Sequence, residues 1–393
     1  MNITVVQLIL LLSVTSALNA GDQGVSVRWT LAGFDRGYNA GQASYLLDLK
    51  TAPETPEGRE KVRDSWDKFQ ARATKLFTSA LEIAESNPKS EDGFAAVEWV
   101  LKHDDAHDLS VGLQGLQLVR DQHSGNPHIG SLIANLAYSL RDERKPTHQA
   151  ALDLLKVVAE TNPDRIARGQ ALLGLADIAK EKFEKADFTR QPEVDQLLAE
   201  THKAYELILR DYGDCPYLRT CGISPPRKTL GEEATARLFE MERLREGQIS
   251  PEIEGEDLDG VKFRLSDYRG KVVLLVFWAS WCGPCMAEVP HEKELVERFS
   301  GRPFVLIGVN GDSVKTNAVE AIQKHGIPWR SFWDEGRVSG RPISVAWNIR
   351  GWPTVYVLDH EGVIRHKYLR GEKLDDPLEK LISAAEAIKQ GSR

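Results

Sequence analysis

The chain has 393 residues, of which 41% are apolar and 27% are charged. This composition excludes disordered and collagen-like proteins and supplies enough apolar side chains for two or three domains of ordinary size. The 50 Lys and Arg residues against 58 Asp and Glu residues give a net charge of −8, which is the wrong sign for a surface that follows phosphates. Nucleic acid is therefore not expected as a partner.

The chain opens with an apolar segment, residues 3–18, which is shorter than the ~20 residues that a membrane span needs. Its most apolar part, residues 8–14, leads into small residues that end at Ala17 or Ala20. We predict that residues 1–20 are a signal peptide, which places the protein in a periplasmic or otherwise extracytoplasmic location. An uncleaved anchor and a buried N-terminal segment are the alternatives, because no Lys or Arg precedes the apolar part.

After an N-terminal extension at residues 21–60, residues 61–247 have the pattern of an all-helical domain. Apolar side chains recur at helical spacing, as in Trp66, Phe69, Ala73 and Phe77. Asn-Pro pairs at residues 87–88, 126–127 and 162–163 each predict a helix end, because the residue before proline is disfavoured in the α region. Their spacing is typical of a helix-turn-helix repeat, and residues 150–176 resemble the tetratricopeptide pattern. An irregular helical bundle is the alternative.

The function of this helical domain is left open between two interpretations. A stack of helical repeats presents a concave surface, which predicts a protein partner on the helical domain. The alternative is a domain that only stabilises or spaces its neighbour.

Cys215 and Cys221 lie in a loop rich in proline and glycine at the end of the helical half. Two cysteines so close together in an exported chain predict a structural disulfide between Cys215 and Cys221. The alternatives are a second redox pair and free thiols.

His103 and His107, next to several aspartates, suggest a cation site, but a solvated helix end is the commoner meaning of such a cluster, and no metal is predicted.

The composition changes at Ile249, where strands begin to alternate with helices. A hairpin around Asp259-Gly260 precedes an unbroken apolar run, Val272 to Trp278, which is typical of a central strand buried on both faces. Helices at 318–325 and 374–388 alternate with strands at 304–309, 354–358 and 363–369. Residues 248–393 are therefore predicted to form an α/β domain that follows the all-α helical repeat or bundle domain.

A Cys-Gly-Pro-Cys sequence stands where the central strand ends and a helix begins. The unpaired N–H groups of a helix N-terminus favour a thiolate, so Cys282 is predicted to be the nucleophile. Cys285 lies one turn further and is predicted to be the resolving thiol. Gly283 and Pro284 tighten the turn between them. A zinc site is not expected, because no second pair of cysteine or histidine ligands follows in this domain.

Residues 249–388 resemble the TlpA/ResA-type thioredoxin-fold proteins, which are extracytoplasmic thiol–disulfide oxidoreductases of bacteria. The resemblance is carried by the lead-in at 265–271, the Trp-Cys-Gly-Pro-Cys motif with the residues to 290, and the segment 349–354. It implies a cis peptide bond before Pro353, a residue that faces the cysteines, and a Trp352 backbone presented to the substrate. Trp281, Gly283 and Pro284 complete the substrate-binding set.

Two departures from the family pattern concern proton transfer. Val276 stands where thioredoxin has a buried acid, and Gly283 replaces the glutamate of ResA-type proteins. Glu288, one turn beyond Cys285, is then a candidate for handling the proton of that thiol. A simple helix carboxylate is the alternative.

The predicted function is a thiol–disulfide oxidoreductase that reduces disulfides of exported proteins. Its partners would be exported cysteine-containing proteins and a membrane thiol electron donor, and no cofactor is expected. Two alternatives remain open. One is a thiol peroxidase of the peroxiredoxin type, although Ala279 occupies the position where such enzymes carry a threonine. The other is a helical-repeat scaffold protein with an accessory thioredoxin domain.

Overall fold

The computed structural model of the protein describes residues 26–103, 109–139, 143, 147–189, 191–218, 229–334 and 341–391. The predicted signal peptide lies outside these ranges. The chain divides into two compact units, Met1–Arg219 and Thr220–Arg393. Among the described residues, no helix is both long enough and apolar enough to cross a membrane.

The first unit is helical throughout its described part. Its helices are α1 (Ser26–Thr51), α2 (Pro56–Ser86), α3 (Glu91–His103), α4 (Leu109–Leu118), α5 (Gly130–Ser139), α6 (Thr147–Thr161), α7 (Arg165–Thr189) and α8 (Val194–Tyr212), and a π-helical turn, Val119–His123, extends α4. The predicted helical class is confirmed. The apolar stripe read from the sequence of α2 is buried at Phe69, Ala73, Phe77 and Ala80.

Helix α1 lies within the stretch that was expected to be a mere extension. It contributes Phe34 and Tyr38 to an aromatic cluster, in which both rings approach Trp99 with centroid distances of 5.4 and 6.3 Å. Asp35 on the same helix accepts a hydrogen bond from the Trp99 indole at 2.6 Å. Helix α1 is therefore part of the core of this unit.

The Asn-Pro pairs follow helix ends, as predicted, and two of them also link successive turns. The amide of Asn162 is buried and donates to the carbonyl oxygens of Ser124 and Asn126, at 2.6 and 3.0 Å. In turn, the amide of Asn126 donates to Glu91 Oε1 at 3.4 Å. Asn162 thus contacts the turn that holds the previous Asn-Pro pair, and Asn126 contacts the first residue of α3, which closely follows the Asn87-Pro88 pair. The regular spacing of these pairs therefore has a structural basis.

The second unit contains a five-stranded sheet preceded by a helix and a hairpin. Its elements in chain order are α9 (Leu230–Arg243), β1 (Glu254–Glu256), β2 (Lys262–Arg264), β3 (Val272–Trp278), α10 (Gly283–Arg298), β4 (Phe304–Asn310), α11 (Lys315–His325), β5 (Ser331–Trp333), α12 (Ile343–Ala346), β6 (Thr354–Leu358), β7 (Ile364–Lys367) and α13 (Asp375–Gly391). The strand order is β5-β4-β3-β6-β7. Strand β3 pairs with β4 in parallel and with β6 antiparallel. The predicted α/β thioredoxin-type class is confirmed.

Strand β3 is buried along its whole length because both faces of the sheet are covered. Leu274 and Val276 belong to a core shared with α10 and α13, whereas Leu275 and Phe277 belong to a core on the opposite face. The continuous apolar run of this strand follows from burial on both sides. The Cys-Gly-Pro-Cys turn follows shortly after the end of this strand.

Helix α9 packs with the sheet-containing unit, although its sequence pattern placed it in the helical half. Leu244 just after this helix is fully buried in the core that also holds Phe277, and Phe239 packs against that core. The boundary between the compact units accordingly lies at 219/220 and not at the composition change near 247. Helical periodicity reveals which face of a helix is apolar but not what that face contacts.

Candidate active site

Cys282 and Cys285 form a disulfide at the point where β3 gives way to α10, with their Cα atoms 5.2 Å apart. Cys282 is the N-cap residue of α10, and Cys285 lies in its first turn. The two residues are only 4% and 3% exposed and belong to the core on the α10 face of the sheet. The predicted dithiol centre is thus assembled, in its oxidised form, on rigid elements.

The helix N-terminus supplies the electrostatics that favour a thiolate at Cys282. The backbone N–H of Cys285 donates to Cys282 Sγ at 3.1 Å, so the sulfur takes the place of a capping oxygen. The first turn of α10 carries no acidic side chain that would oppose a negative charge there. Since α10 is 16 residues long, its positive end also acts on this sulfur.

Two tryptophans border the disulfide. Trp281 is 52% exposed, and its ring centroid lies 6.0 Å from that of Trp352 in an edge-to-face arrangement. Trp352 lies directly against Gly311, where any side chain would collide with the indole. The peptide bond between Trp352 and Pro353 is cis, which confirms the expectation drawn from the family resemblance. Gly283 and Pro284 are exposed beside this pair of rings.

The segment after β7 contacts both α10 and the loop at residues 348–353, which contains the cis peptide bond and is called the cis-proline loop below. Arg370 donates to the carbonyl oxygen of Pro353 at 2.6 Å, and the next residue, Gly371, donates its N–H to Glu288 Oε2 at 2.9 Å. Glu288 therefore holds a fixed position one turn beyond Cys285. This bond gives Glu288 an anchoring contact that its sequence position did not reveal.

Asp312 is a buried residue of this site that the sequence analysis did not identify. Its carboxylate accepts hydrogen bonds from the Ser280 N–H (2.9 Å), the Ser280 hydroxyl (2.6 Å) and the Asn310 amide (2.8 Å). These bonds hold the segment immediately before Trp281 and Cys282. No short motif contains both Ser280 and Asp312, so only their position at the ends of the adjacent strands β3 and β4 relates them.

Replacing Asp312 with asparagine is expected to lower the free energy of unfolding by about 2 kcal/mol, because an amide N–H₂ would face donors where the carboxylate accepted. Urea denaturation of the full chain measures this loss. The matched control is Asp267→Asn, since Asp267 is exposed and accepts the backbone N–H of Arg264, and we expect it to cost less than about 1 kcal/mol. Equal, small losses for both variants would contradict this account.

Glu292 is a second unpredicted residue, two turns beyond Cys285 on the buried side of α10. Burial, with a smaller contribution from the negative charge of Glu288, raises the pKa of Glu292 to about 8. The buried positions Cys285, Val289 and Glu292 follow helical spacing. That spacing is the signal that would have marked this glutamate as an inward-facing acid.

The remaining predicted residues lie elsewhere or outside the described ranges. Cys215 is buried and forms no disulfide with another described residue, and its predicted partner Cys221 lies outside the described residues, so the structural disulfide between them stays a prediction. Because Cys215 is turned into the interior, its sulfur is shielded, and desolvation raises its pKa. His107 also lies outside the described residues, and His103 Nδ1 is within 2.8 Å of the Trp99 carbonyl oxygen. Where the chain is described, no group of three or more His, Cys, Asp or Glu side chains is arranged to hold a metal ion.

Comparison with known proteins places the similarity in the second unit. Residues 247–367 match the AhpC/TSA family. The thioredoxin-like protein YneN of Bacillus subtilis is 31% identical over 128 residues, which cover 31% of this chain and 70% of that protein. The thiol-disulfide oxidoreductase ResA of Bacillus anthracis is 27% identical over 138 residues, which cover 35% of this chain and 77% of that protein.

Solved structures align over the same part of the chain. The thioredoxin domain of a thiol-disulfide oxidoreductase from Bacteroides vulgatus is 29% identical with a TM-score of 0.32, and covers 35% of this chain and 98% of its own. A thiol:disulfide interchange protein DsbE from Chlorobium tepidum is 27% identical with a TM-score of 0.31, and covers 36% of this chain and 97% of its own.

Proposed function

Because the C-terminal domain of this chain belongs to the thioredoxin-like thiol–disulfide oxidoreductases, we propose that the protein reduces disulfide bonds of exported proteins through Cys282 and Cys285. The observation that carries the proposal is the Cys282–Cys285 disulfide at the N-terminus of α10, beside a cis-proline loop. Reduction is proposed rather than oxidation because Gly283-Pro284 between the cysteines is similar to the reducing members of the family.

The reaction begins from the dithiol form. The Cys282 thiolate attacks one sulfur of a substrate disulfide, a bond forms between Cys282 Sγ and that sulfur, and the other substrate sulfur leaves as a thiolate and takes a proton from solvent. The N–H of Cys285 that contacts Cys282 Sγ favours the charged form of the attacking sulfur. The product of this step is a mixed disulfide between enzyme and substrate.

Cys285 then resolves the mixed disulfide. It loses its proton, attacks Cys282 Sγ, and releases the second substrate sulfur as a thiolate, so that two electrons have passed from the enzyme to the substrate. We propose Glu288 as the group that handles this proton, since it is fixed one turn away by its bond to Gly371. The enzyme disulfide must then be reduced by an external dithiol, for which a membrane thiol donor is proposed.

The substrate chain is proposed to extend along Trp352 next to the disulfide. Trp281, Gly283 and Pro284 are exposed around this position, which leaves an open border for a polypeptide. The carbonyl oxygen of Pro353 already accepts a bond from Arg370, so docking would use the backbone of Trp352.

The rest of the chain is assigned roles consistent with an exported reductase. We propose that residues 1–20 direct export, that residues 248–393 together with α9 carry the chemistry, and that the other helices within 61–247 bind a protein partner. A chain that acts outside the cytoplasm meets substrates whose disulfides persist in an oxidising environment.

The experiment that tests this function is insulin reduction by the purified full chain with dithiothreitol as electron donor. We expect precipitation of the insulin B chain to begin at least about tenfold earlier than with dithiothreitol alone, because an activated thiolate attacks faster than a free thiol. An unchanged onset would overturn the proposal. In the same preparation, peroxide consumption that persists in Cys285→Ser would instead support the peroxidase alternative, which requires a single reactive sulfur.

A further inference from the structure

Helix α9 carries a stripe of charged side chains that face inward. Glu233 is completely buried, and Arg237 and Glu240 are 5% and 7% exposed. These three residues follow helical spacing, so they lie on one side of the helix. The helix stands before residue 247, where the match to the AhpC/TSA family begins. It therefore lies outside the segment that matches this family.

The first carboxylate of the stripe binds a residue close to the cis-proline. Glu233 Oε1 lies 2.8 Å from Arg350 Nη1 and 3.2 Å from Arg237 Nε, so that one buried carboxylate is shared by two guanidinium groups. Arg350 stands three residues before Pro353 and two before Trp352. A buried charge is costly without a partner of opposite sign, so the buried Glu233 carboxylate favours positions of Arg350 and Arg237 that keep both guanidinium groups near it.

The second carboxylate of the stripe, that of Glu240, contacts the start of the cis-proline loop. Glu240 Oε2 accepts a hydrogen bond from the Asn348 amide at 3.1 Å, and its other oxygen lies 3.8 Å from the Lys367 ammonium and 3.4 Å from the Tyr368 hydroxyl. The Asn348 amide also reaches the Ala236 carbonyl oxygen at 3.4 Å. Asn348 has a φ of +49°, a left-handed conformation that asparagine tolerates better than most residues.

The loop is thus held at both ends. Asn348 and Arg350 are bound to α9 at its start, and the carbonyl oxygen of Pro353 is bound by Arg370 at its end. Between these contacts lies Trp352, the residue whose backbone is proposed to receive the substrate.

We propose that α9 is a positioning element for the cis-proline loop, and that Glu233 and Glu240, acting through Arg350 and Asn348, set the affinity for polypeptide disulfides. The inference rests on the proposed function for its substrate. In this proposal, α9 does not contact the reacting sulfurs. Loosening the contacts of α9 should therefore weaken docking more than it slows sulfur exchange.

The test compares Arg350→Gln with the wild-type full chain. Glu233 keeps Arg237 as a counter-ion in this variant, so the buried carboxylate is not left without a cation. We expect KM for insulin to rise about tenfold while kcat changes less than about twofold. The variant loses binding energy that stabilises the bound substrate and the transition state equally, and such a loss raises KM without lowering kcat. Arg350→Lys, which keeps the charge, should recover part of the affinity, and Asn348→Gly, which keeps the left-handed backbone but removes the amide, should also raise KM.

A matched control is Arg264→Gln, which removes the same guanidinium from an exposed pair with Glu254 in the same unit. This variant should leave KM unchanged. An unchanged KM in Arg350→Gln would overturn the proposal. A fall in kcat as large as the rise in KM would also overturn it, because that result indicates general destabilisation of the protein.

Hydrogen exchange measured by mass spectrometry separates this inference from the proposed function. The Ile349 N–H donates to the Ser344 carbonyl oxygen at 2.8 Å, and we expect Arg350→Gln to accelerate exchange at residues 349–352 by about tenfold while β3 and β4 keep their protection. Unchanged exchange in this loop would overturn the positioning role whatever the insulin assay gives. Accelerated exchange in a chain that does not reduce insulin would retain the positioning role and reject the proposed substrate.

Discussion

Replacing Cys282 with serine is expected to abolish insulin reduction, with a loss of at least about a thousandfold in turnover. A serine hydroxyl is not ionised at neutral pH and cannot form a mixed disulfide, so no later step can follow. Cys285→Ser should lower turnover by about a hundredfold yet keep the first attack, because the mixed disulfide then awaits an external thiol. Steady-state rates of insulin reduction measure both effects.

Cys215→Ser is the matched control for these two variants. Cys215 is buried, burial raises its pKa, and it has no part in the proposed exchange at Cys282 and Cys285, so we expect its removal to leave turnover unchanged. A large loss in Cys215→Ser would revive the idea of a second redox pair. Turnover above about a tenth of the wild-type rate in Cys282→Ser would contradict the assignment of the nucleophile.

Glu292→Gln is expected to stabilise the protein at pH 8 by about 2–4 kcal/mol and to have little effect near pH 4. The pKa of Glu292 is raised to about 8 in the folded protein, so between its ordinary value of 4.5 and 8 the folded state holds a proton that the unfolded state releases. The unfolding free energy of the wild type therefore falls as the pH rises through this window. Glutamine does not titrate and removes that fall.

The measurement is urea denaturation near pH 4 and at pH 8, with Glu297→Gln as the control. Glu297 lies on the same helix but is exposed, so its substitution should leave the pH dependence unchanged. Parallel pH profiles for the wild type and Glu292→Gln would show that the buried acid does not retain its proton.

The sequence predicted those parts of the fold whose side chains repeat along one element. Strand β3 was placed at its observed bounds, Val272–Trp278, because burial on both faces leaves an unbroken apolar run. Strand β5, Ser331–Trp333, has three residues and forms on the edge of the sheet, too short for any periodicity to develop. Helix α9 was recognised as a helix, but its partner depends on contacts with residues about a hundred positions later, such as Asn348.

In the candidate site too, residues in local motifs were predictable from the sequence, and residues with distant partners were not. The cysteines and the cis-proline have local motifs and could be named from the sequence. Asp312 and Glu233 act through partners far along the chain, Ser280 and Arg350, and each looks like an ordinary surface acid until the fold brings the partners together. The contact that fixes Glu288 likewise comes from Gly371, 83 residues away.

The most direct test of the central claim is to trap the mixed disulfide. Cys285→Ser is expressed in an exporting host, the cells are quenched with acid, and proteins linked through Cys282 are identified by mass spectrometry, with Cys282→Ser as the control. The account predicts a defined set of exported cysteine-containing proteins that is absent from the control. An empty trap, or the same proteins in both variants, would contradict it.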